Sequence, residues 1–418
     1  MSKNARDKRP YVRPVTRLEL SEKNIKLRWI AIAVLLAIAA VSIGYGFSQV
    51  LSTEPGWQQV SSISSEVNCG SDFVLMYDFG TGDVNPTAQY KILETLYSQL
   101  TVSAYQLFSP EAEGTDNLYH LNIHVNEKVT VAPELYKALE QIAGSQSRHP
   151  FLGPVRELYD PVFLAASDAE AAVYDPMKDP EREAMAKETA AYCADPAMIS
   201  LEVFGENQVR LNVSDDYLAF AEENGIAVFL DLGWMTNAFI IDYMADALSA
   251  QGHTLGYLTS YDGFTRNLDI RGTDYSISLF DRQGMDVMMP ANFAYSGPMS
   301  IVSLRDYPLS EQDQWHYYSY EDGSITSVFL DPADGTSKSS VDSLIAYGNN
   351  AGCAEILLRL ASVFTADTLN TEEIAEMSFD GLDVLWFEGN TLYHTEEDAA
   401  LMIRTDSGGE GYAVSHAQ

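Results

Sequence analysis

Nineteen consecutive residues, Trp29 to Phe47, carry no charge, and no other feature narrows so far what the chain can become. The run matches the roughly 20 apolar residues that cross a bilayer as one helix. Residues 1–28 hold nine Lys and Arg against three Asp and Glu. A positive flank on that side predicts a cytoplasmic N-terminus and an exported remainder. A cleaved signal peptide is the rival reading. The basic segment is long for one, and no small-x-small cleavage site follows the apolar run. Cys69 lacks the preceding small apolar residues of a lipoprotein acceptor. The expectation is an uncleaved signal anchor in the cell membrane, single-pass, with the main domain extracytoplasmic.

Charge sharpens that division. The whole chain carries 25 Lys and Arg against 60 Asp and Glu, for a net charge of −35. The first 28 residues contribute +6, so the other 390 carry −41. A body this acidic repels nucleic acid and anionic lipid, and both are excluded as its partners. Three scattered cysteines, Cys69, Cys193 and Cys353, make neither a disulfide framework nor a zinc site. Their spacing leaves open whether any pair is bridged. Asn212-Val213-Ser214 is a glycosylation sequon, relevant only in a eukaryotic secretory pathway.

The chain divides into a basic tail (1–28), a transmembrane helix (29–47), a Ser- and Gln-rich linker (48–66), one large domain (67–400) and a Gly- and Ser-rich flexible tail (401–418). Within the domain, apolar alternation predicts strands at Asp72–Phe79 and Leu118–Val125, and a short apolar run predicts one at Ala227–Leu230. Helical spacing marks Pro86–Val102, Val131–Ile142, Pro180–Ala191, Asp216–Glu223, a segment from about Thr236 to Leu248, and Ile356–Phe364. Phe151 to Pro154 closes the region before the second half. Hairpins are expected across Gly205-Glu206-Asn207, Glu321-Asp322-Gly323 and Gly389-Asn390. Hairpins interleaved with helices argue for an α+β fold rather than regular α/β alternation.

No nucleophile elbow, P-loop, dinucleotide fingerprint or paired-cysteine metal motif is present. His120, Asn122 and His124 share a face of the expected strand and could bind a metal, although such a face is more often simply solvated. Trp315, Tyr317, Tyr318 and Tyr320 could stack on a planar ligand, but aromatics are also ordinary strand formers. Asp231-Leu232-Gly233, between the Ala227–Leu230 run and the following helix, puts a carboxylate at a place where many folds bind ligands.

In order and spacing these segments resemble the ApbE family, the FAD:protein FMN transferases. Cys69-Gly70-Ser71 is similar to the family's opening Met-Gly-Thr. Ser103, Tyr105 and Ser109 match its Ser-x-Tyr-x-x-x-Ser, with Leu121-Asn122 following. His149-Pro150-Phe151-Leu152-Gly153-Pro154 resembles Asp-Pro-x-x-Gly-Pro. Asp231 to Asp242 resembles the hallmark Asp-Leu-Gly-Gly-x-x-Lys-Gly-Tyr-x-x-Asp. Phe329 to Gly335 resembles Ile-Ile-Asp-Pro-x-Thr-Gly. The resemblance runs from about Cys69 to about Tyr393. It implies ApbE-like mixed sheets with flanking helices, here preceded by one N-terminal transmembrane helix. It implies binding of FAD and magnesium, and passage of FMN to a Thr or Ser of a partner flavoprotein in a membrane redox system. It places flavin contacts at Tyr105, Asp231, Asn237 and Arg305, and metal contacts at the Trp234 carbonyl and Asn350.

Several positions depart from the family pattern. Asn237 stands where the hallmark has Lys, Trp234 and Ala238 where it has glycines, Val328 where a His precedes Asp-Pro, and His149 where an Asp does. In Asn349 to Leu357 no register restores both residues of the late metal motif, Asp-Ala-x-x-Thr. Phosphoryl-type chemistry depends on metal and electrostatic positioning. The pattern therefore favours a relative that keeps the fold and binds flavin or a partner flavoprotein without catalysis. The alternative is an active magnesium-dependent transferase. A purely structural exported domain is a third class.

Overall fold

Tyr77 and Phe79 alternate with Met76 and Asp78, and the first pair is buried under helices while the second is half-exposed. This period-2 pattern sets the first inner strand of a large sheet. The computed structural model describes residues 53–81, 84–310 and 314–417. The chain runs through β1 (Gly56–Val60), β2 (Phe73–Phe79), α1 (Pro86–Phe108), α2 (Leu118–Ile123), β3 (Val129–Thr130) and α3 (Pro133–Gly144). Next come α4 (Gly153–Phe163), α5 (Asp168–Tyr174), α6 (Pro180–Ala194), β4 (Ile199–Gly205), β5 (Gln208–Val213), α7 (Asp215–Asn224) and α8 (Thr236–Ala250). The strands β6 (Gly256–Ser260), β7 (Phe264–Asn267), β8 (Asp274–Gln283), β9 (Asp286–Ser296) and β10 (Met299–Arg305) follow. Then come β11 (Tyr317–Ser319), β12 (Ile325–Ser327), β13 (Ser343–Gly348), α9 (Cys353–Phe364) and α10 (Thr371–Phe379). The chain ends with β14 (Asp383–Glu388), β15 (Thr391–His394), β16 (Leu401–Ile403) and β17 (Ala413–His416).

The large sheet has nine strands in the order β1-β2-β6-β7-β10-β13-β14-β15-β17, so its spatial order follows the chain. All neighbours are antiparallel except β15 and β17. On one face α8 packs against β6 and β7, flanked by α1 and α9. The main core lies there, with Phe239, Ile240, Met244 and Leu248 of α8 buried at helical spacing. The other face is covered over β10, β13, β14 and β15 by the small sheet β16-β9-β8, through a second core of Leu279, Phe293, Ile345 and Leu385. The hairpin β4–β5 turns at Glu206 and Asn207 with φ of 52° and 59°, the left-handed pair of a type I′ turn.

Several expectations need correction. Gly56–Val60 of the expected linker forms β1, in register with Phe79 to Leu75 of β2. The expected flexible tail is ordered in part: β16 pairs with β9, and β17 pairs with β15. Tyr412 donates to buried Asp281 at 2.6 Å and holds that tail down. Leu118–Val125 is not a strand. Asn117 caps its backbone through His120 N at 3.0 Å and starts the helix α2. Ala227–Leu230 enters no ladder, because its donors go to a side chain described below. Pro154 does not close a region but stands in the first turn of α4, where proline costs no hydrogen bond. The hairpin across Glu321-Asp322-Gly323 is present in shortened form. All three cysteines are buried and unbridged. The transmembrane helix expected at 29–47 lies outside the described residues. Among the described residues no helix is long and apolar enough to cross a membrane.

Candidate functional site

The segment before Asp231 runs without strand partners because one side chain takes over their role. Asn122 of α2, buried, accepts from Phe229 N and Leu230 N, both at 2.9 Å. Its amide donates to Leu230 O at 2.8 Å and to Leu118 O at 3.1 Å. Three backbone groups that a strand would have paired are thereby satisfied. The chain then turns. Asp231 N donates to Pro150 O, and Asp231 Oδ1 accepts from Gly233 N at 2.9 Å. Gly233 has φ +55°, and a Cβ there would lie 3.0 Å from the Arg156 guanidinium. Gly153 is equally confined, since its Cβ would lie 2.8 Å from that of Asp231.

Arg156, one turn into α4, pairs with Asp231 Oδ2 at 2.5 Å. The sequence carried no signal for this partner beyond its being a cation shortly after Gly153-Pro154. Trp234 packs edge-on against Phe329 (centroids 4.9 Å apart) and His149 (6.1 Å). Between these residues, Val328 and Leu330 the open space is about 10 Å³, no more than a single water fills. Asp231 and Trp234 therefore come together, but around a closed space.

His149 is buried and bonded to Ser147 Oγ at 3.1 Å and Thr365 Oγ1 at 2.9 Å. Burial holds its pKa down at about 3. An unfolded chain protonates this imidazole near pH 6.5 while the folded one does not. Its stabilising contribution is thus complete above pH 6.5 and is lost as pH falls from there toward 3. Between pH 7 and 5, wild type should lose about 2 kcal/mol more unfolding free energy than His149→Gln. Urea titrations of both proteins at the two pH values check this; equal losses would refute the assignment.

Asn237 and Arg305 meet elsewhere, at the turn between β6 and β7. Asn237 Nδ2 donates to Asp262 Oδ2 at 2.9 Å. Gly263 has φ +110°, and a Cβ there would sit 2.2 Å from Ser303 O and 3.5 Å from the Arg305 guanidinium. Burial raises the Asp262 carboxyl pKa, opposed by nearby His316 and by bonds from Ser260 and Asn237. Burial also raises Asp72, with Asp262 adding to the effect. Tyr105 sits half-buried in α1, and its carbonyl accepts from Ser109 N.

Asn350 lies in a third location. It lines a cavity of about 640 Å³ together with Asp242, Arg266, Tyr243 and Glu355. Asp242 caps α9 by accepting from Cys353 N and Ala354 N, both at 2.9 Å. That is where a carboxylate best meets a helix dipole. Arg266 pairs with the same carboxylate, and Gly352 leaves room for it, since a Cβ there would lie 2.3 Å from Asp242 Oδ2. Trp234 and Asn350, the expected metal contacts, line no common cavity. Among the described residues no three His, Cys, Asp or Glu side chains are grouped to hold a metal ion. His120 and His124 lie with ring centroids 4.2 Å apart, tilted by 49°, at the C-terminal end of α2 rather than on a strand. Tyr317 and Tyr320 are buried and bonded to Arg305 O and Asp175, so they present no stacking surface.

These residues do not fit FAD with magnesium around Asp231. The carboxylate is held by Arg156, Trp234 fills the space, and a hard cation needs more oxygen ligands than are gathered there.

No family model and no curated protein matches the sequence. Solved structures do match the fold. The ApbE protein of Thermotoga maritima is 15% identical, over 84% of this chain and 97% of that one, with a TM-score of 0.50. The flavin transferase ApbE of Vibrio cholerae is 14% identical, over 86% of this chain and 100% of its own, with a TM-score of 0.51. The fold is therefore ApbE-like, a mixed α+β arrangement with a large sheet and flanking helices.

Proposed function

We propose that this chain is a membrane-anchored, extracytoplasmic relative of the ApbE flavin transferases that binds a partner flavoprotein and does not transfer FMN. The observation that carries the reading is the closed space at Asp231. Arg156 neutralises the carboxylate, and Trp234 occupies the room that a planar ring would need. FMN transfer depends on stabilising charge that builds on a pyrophosphate, and the principal groups for that are a metal and its ligands. A second reading is flavin binding without transfer, favoured by the convergence of Asn237, Asp262 and Arg305 on one turn. An arginine there is suited to a phosphate.

The test is to incubate the full-length protein with FAD, magnesium and a flavoprotein acceptor domain bearing an exposed Thr or Ser. The acceptor is then run on a denaturing gel and viewed under ultraviolet light. The expected result is no fluorescent acceptor band, with the acceptor retained on the immobilised protein. A fluorescent band would establish the active transferase instead. Quenching of free FAD fluorescence without a labelled acceptor would support the second reading.

A further inference from the structure

The sheet begins closer to the expected membrane span than the linker reading allows. Between Phe47 and Gly56 lie eight residues. Fully extended at about 3.4 Å each, they reach at most about 27 Å. They deliver the chain into β1, the outer strand of the large sheet.

The surface at that strand is aromatic and apolar. Trp57 lies opposite Asp78 of β2. Neighbouring Phe79 packs on Tyr90 of α1, so alternation puts Trp57 on the sheet face away from the helices. It is 40% exposed and packs against Tyr257 at 5.9 Å and Tyr275 at 6.1 Å. Tyr275 in turn stacks on Tyr295 at 5.7 Å. Ile270, 67% exposed, precedes Arg271 in the chain, and Arg271 pairs with Asp269 and with Asp78, the residue opposite Trp57. One guanidinium thus offsets one of these two carboxylates, and the three groups together carry −1. Farther along, the same face is covered by the small sheet, whose Tyr275 meets Trp57 and leaves that ring 40% exposed.

Tryptophan and tyrosine with an apolar body and a polar tip favour the water–lipid boundary. We propose that this edge of the large sheet rests on the bilayer surface, with Trp57 and Ile270 entering the headgroup layer of zwitterionic lipid. The acidic body repels anionic headgroups, so the contact is apolar and aromatic rather than electrostatic. A short tether makes even a weak contact effective, because the lipid surface stays within reach. The inference rests on the anchor reading and extends it from the span to the exported domain.

The experiment uses the full-length chain in phosphatidylcholine vesicles. A Trp29→Phe background removes the tryptophan of the expected span. Brominated acyl chains should quench a share of the emission, and Trp57→Phe should abolish that share. Separately, Ile270→Cys and Phe379→Cys are labelled with an environment-sensitive fluorophore, the native cysteines being buried. Phe379, 92% exposed at the end of α10, serves as the reference. The label at 270 should brighten at least about twofold in vesicles relative to 379, as expected of an interfacial position. Equal responses at 270 and 379, or quenching unchanged by Trp57→Phe, would overturn the proposal. Shielding of position 270 only after a partner protein is added would overturn it in favour of a protein contact. Release of the chain from vesicles by alkaline extraction would instead mark failure of the anchor reading.

Discussion

Asn122→Ala should be the most damaging single substitution around the site, lowering the unfolding free energy by about 4 kcal/mol. The reasoning follows from what the amide holds. Removing it strands Phe229 N, Leu230 N and Leu230 O in a buried setting. Each unsatisfied buried group costs about 1–3 kcal/mol, less whatever relaxation recovers. Asn122→Asp keeps the acceptor for the two N–H groups and loses the donor to Leu230 O, so it should lie between alanine and wild type. Urea unfolding of the three proteins gives the ranking. A loss below about 1 kcal/mol for alanine would mean that the 227–231 backbone finds other partners.

Asp231→Ala is the second large effect, with an expected loss of about 3 kcal/mol, because it leaves the Arg156 cation in a mostly closed site. The Arg156 side chain is 28% exposed and its other carboxylate, Asp160, stands 4.0 Å away. Water and that second contact should keep the loss toward the lower end of the range for broken buried pairs. Gly233 N also loses its acceptor. A double-mutant cycle with Arg156→Met separates the pair from the turn. Coupling above about 1 kcal/mol assigns the effect to the ion pair. If Asp231→Ala leaves stability unchanged, the carboxylate is not a structural element and the closed-site reading falls with it.

What the sequence revealed, and what it hid, follows from the range of the forces involved. Alternation and helical periodicity are local, and they located β2, α3, α6, the hairpin at Gly205 and the α8 helix to within a few residues, and the start of α1, which runs six residues past the expected Val102. The order of turn motifs, from Cys69-Gly70-Ser71 to Asp331-Pro332, also pointed to the fold that the structure has. The failures occurred where a distant partner decided the outcome. Ala227–Leu230 has the composition of a strand, yet Asn122, 107 residues away in sequence from Phe229, takes its donors. Leu118–Val125 alternates, but the Asn117 cap and the burial of Leu118 and Leu121 make it helical. Nothing local marks Arg156 and Arg266, because an ion pair leaves no periodic trace. Of the four flavin contacts that the resemblance implies, Asn237 and Arg305 lie at one turn and Asp231 at another place, while Trp234 and Asn350 line different cavities.

The ascending strand order has a bearing on how the molecule is made. Each strand of the large sheet pairs with one that precedes it in the chain, and none must be inserted between two already paired. A polypeptide that emerges N-terminus first can therefore extend this sheet by accretion, one edge at a time, beginning at β1. The last step is the one parallel pairing: β17 adds to β15 after β16 has joined the small sheet. The growing edge stays open for pairing until then, and unpaired edges are where nascent sheets associate wrongly. A chain truncated before Ala413 would keep that edge exposed.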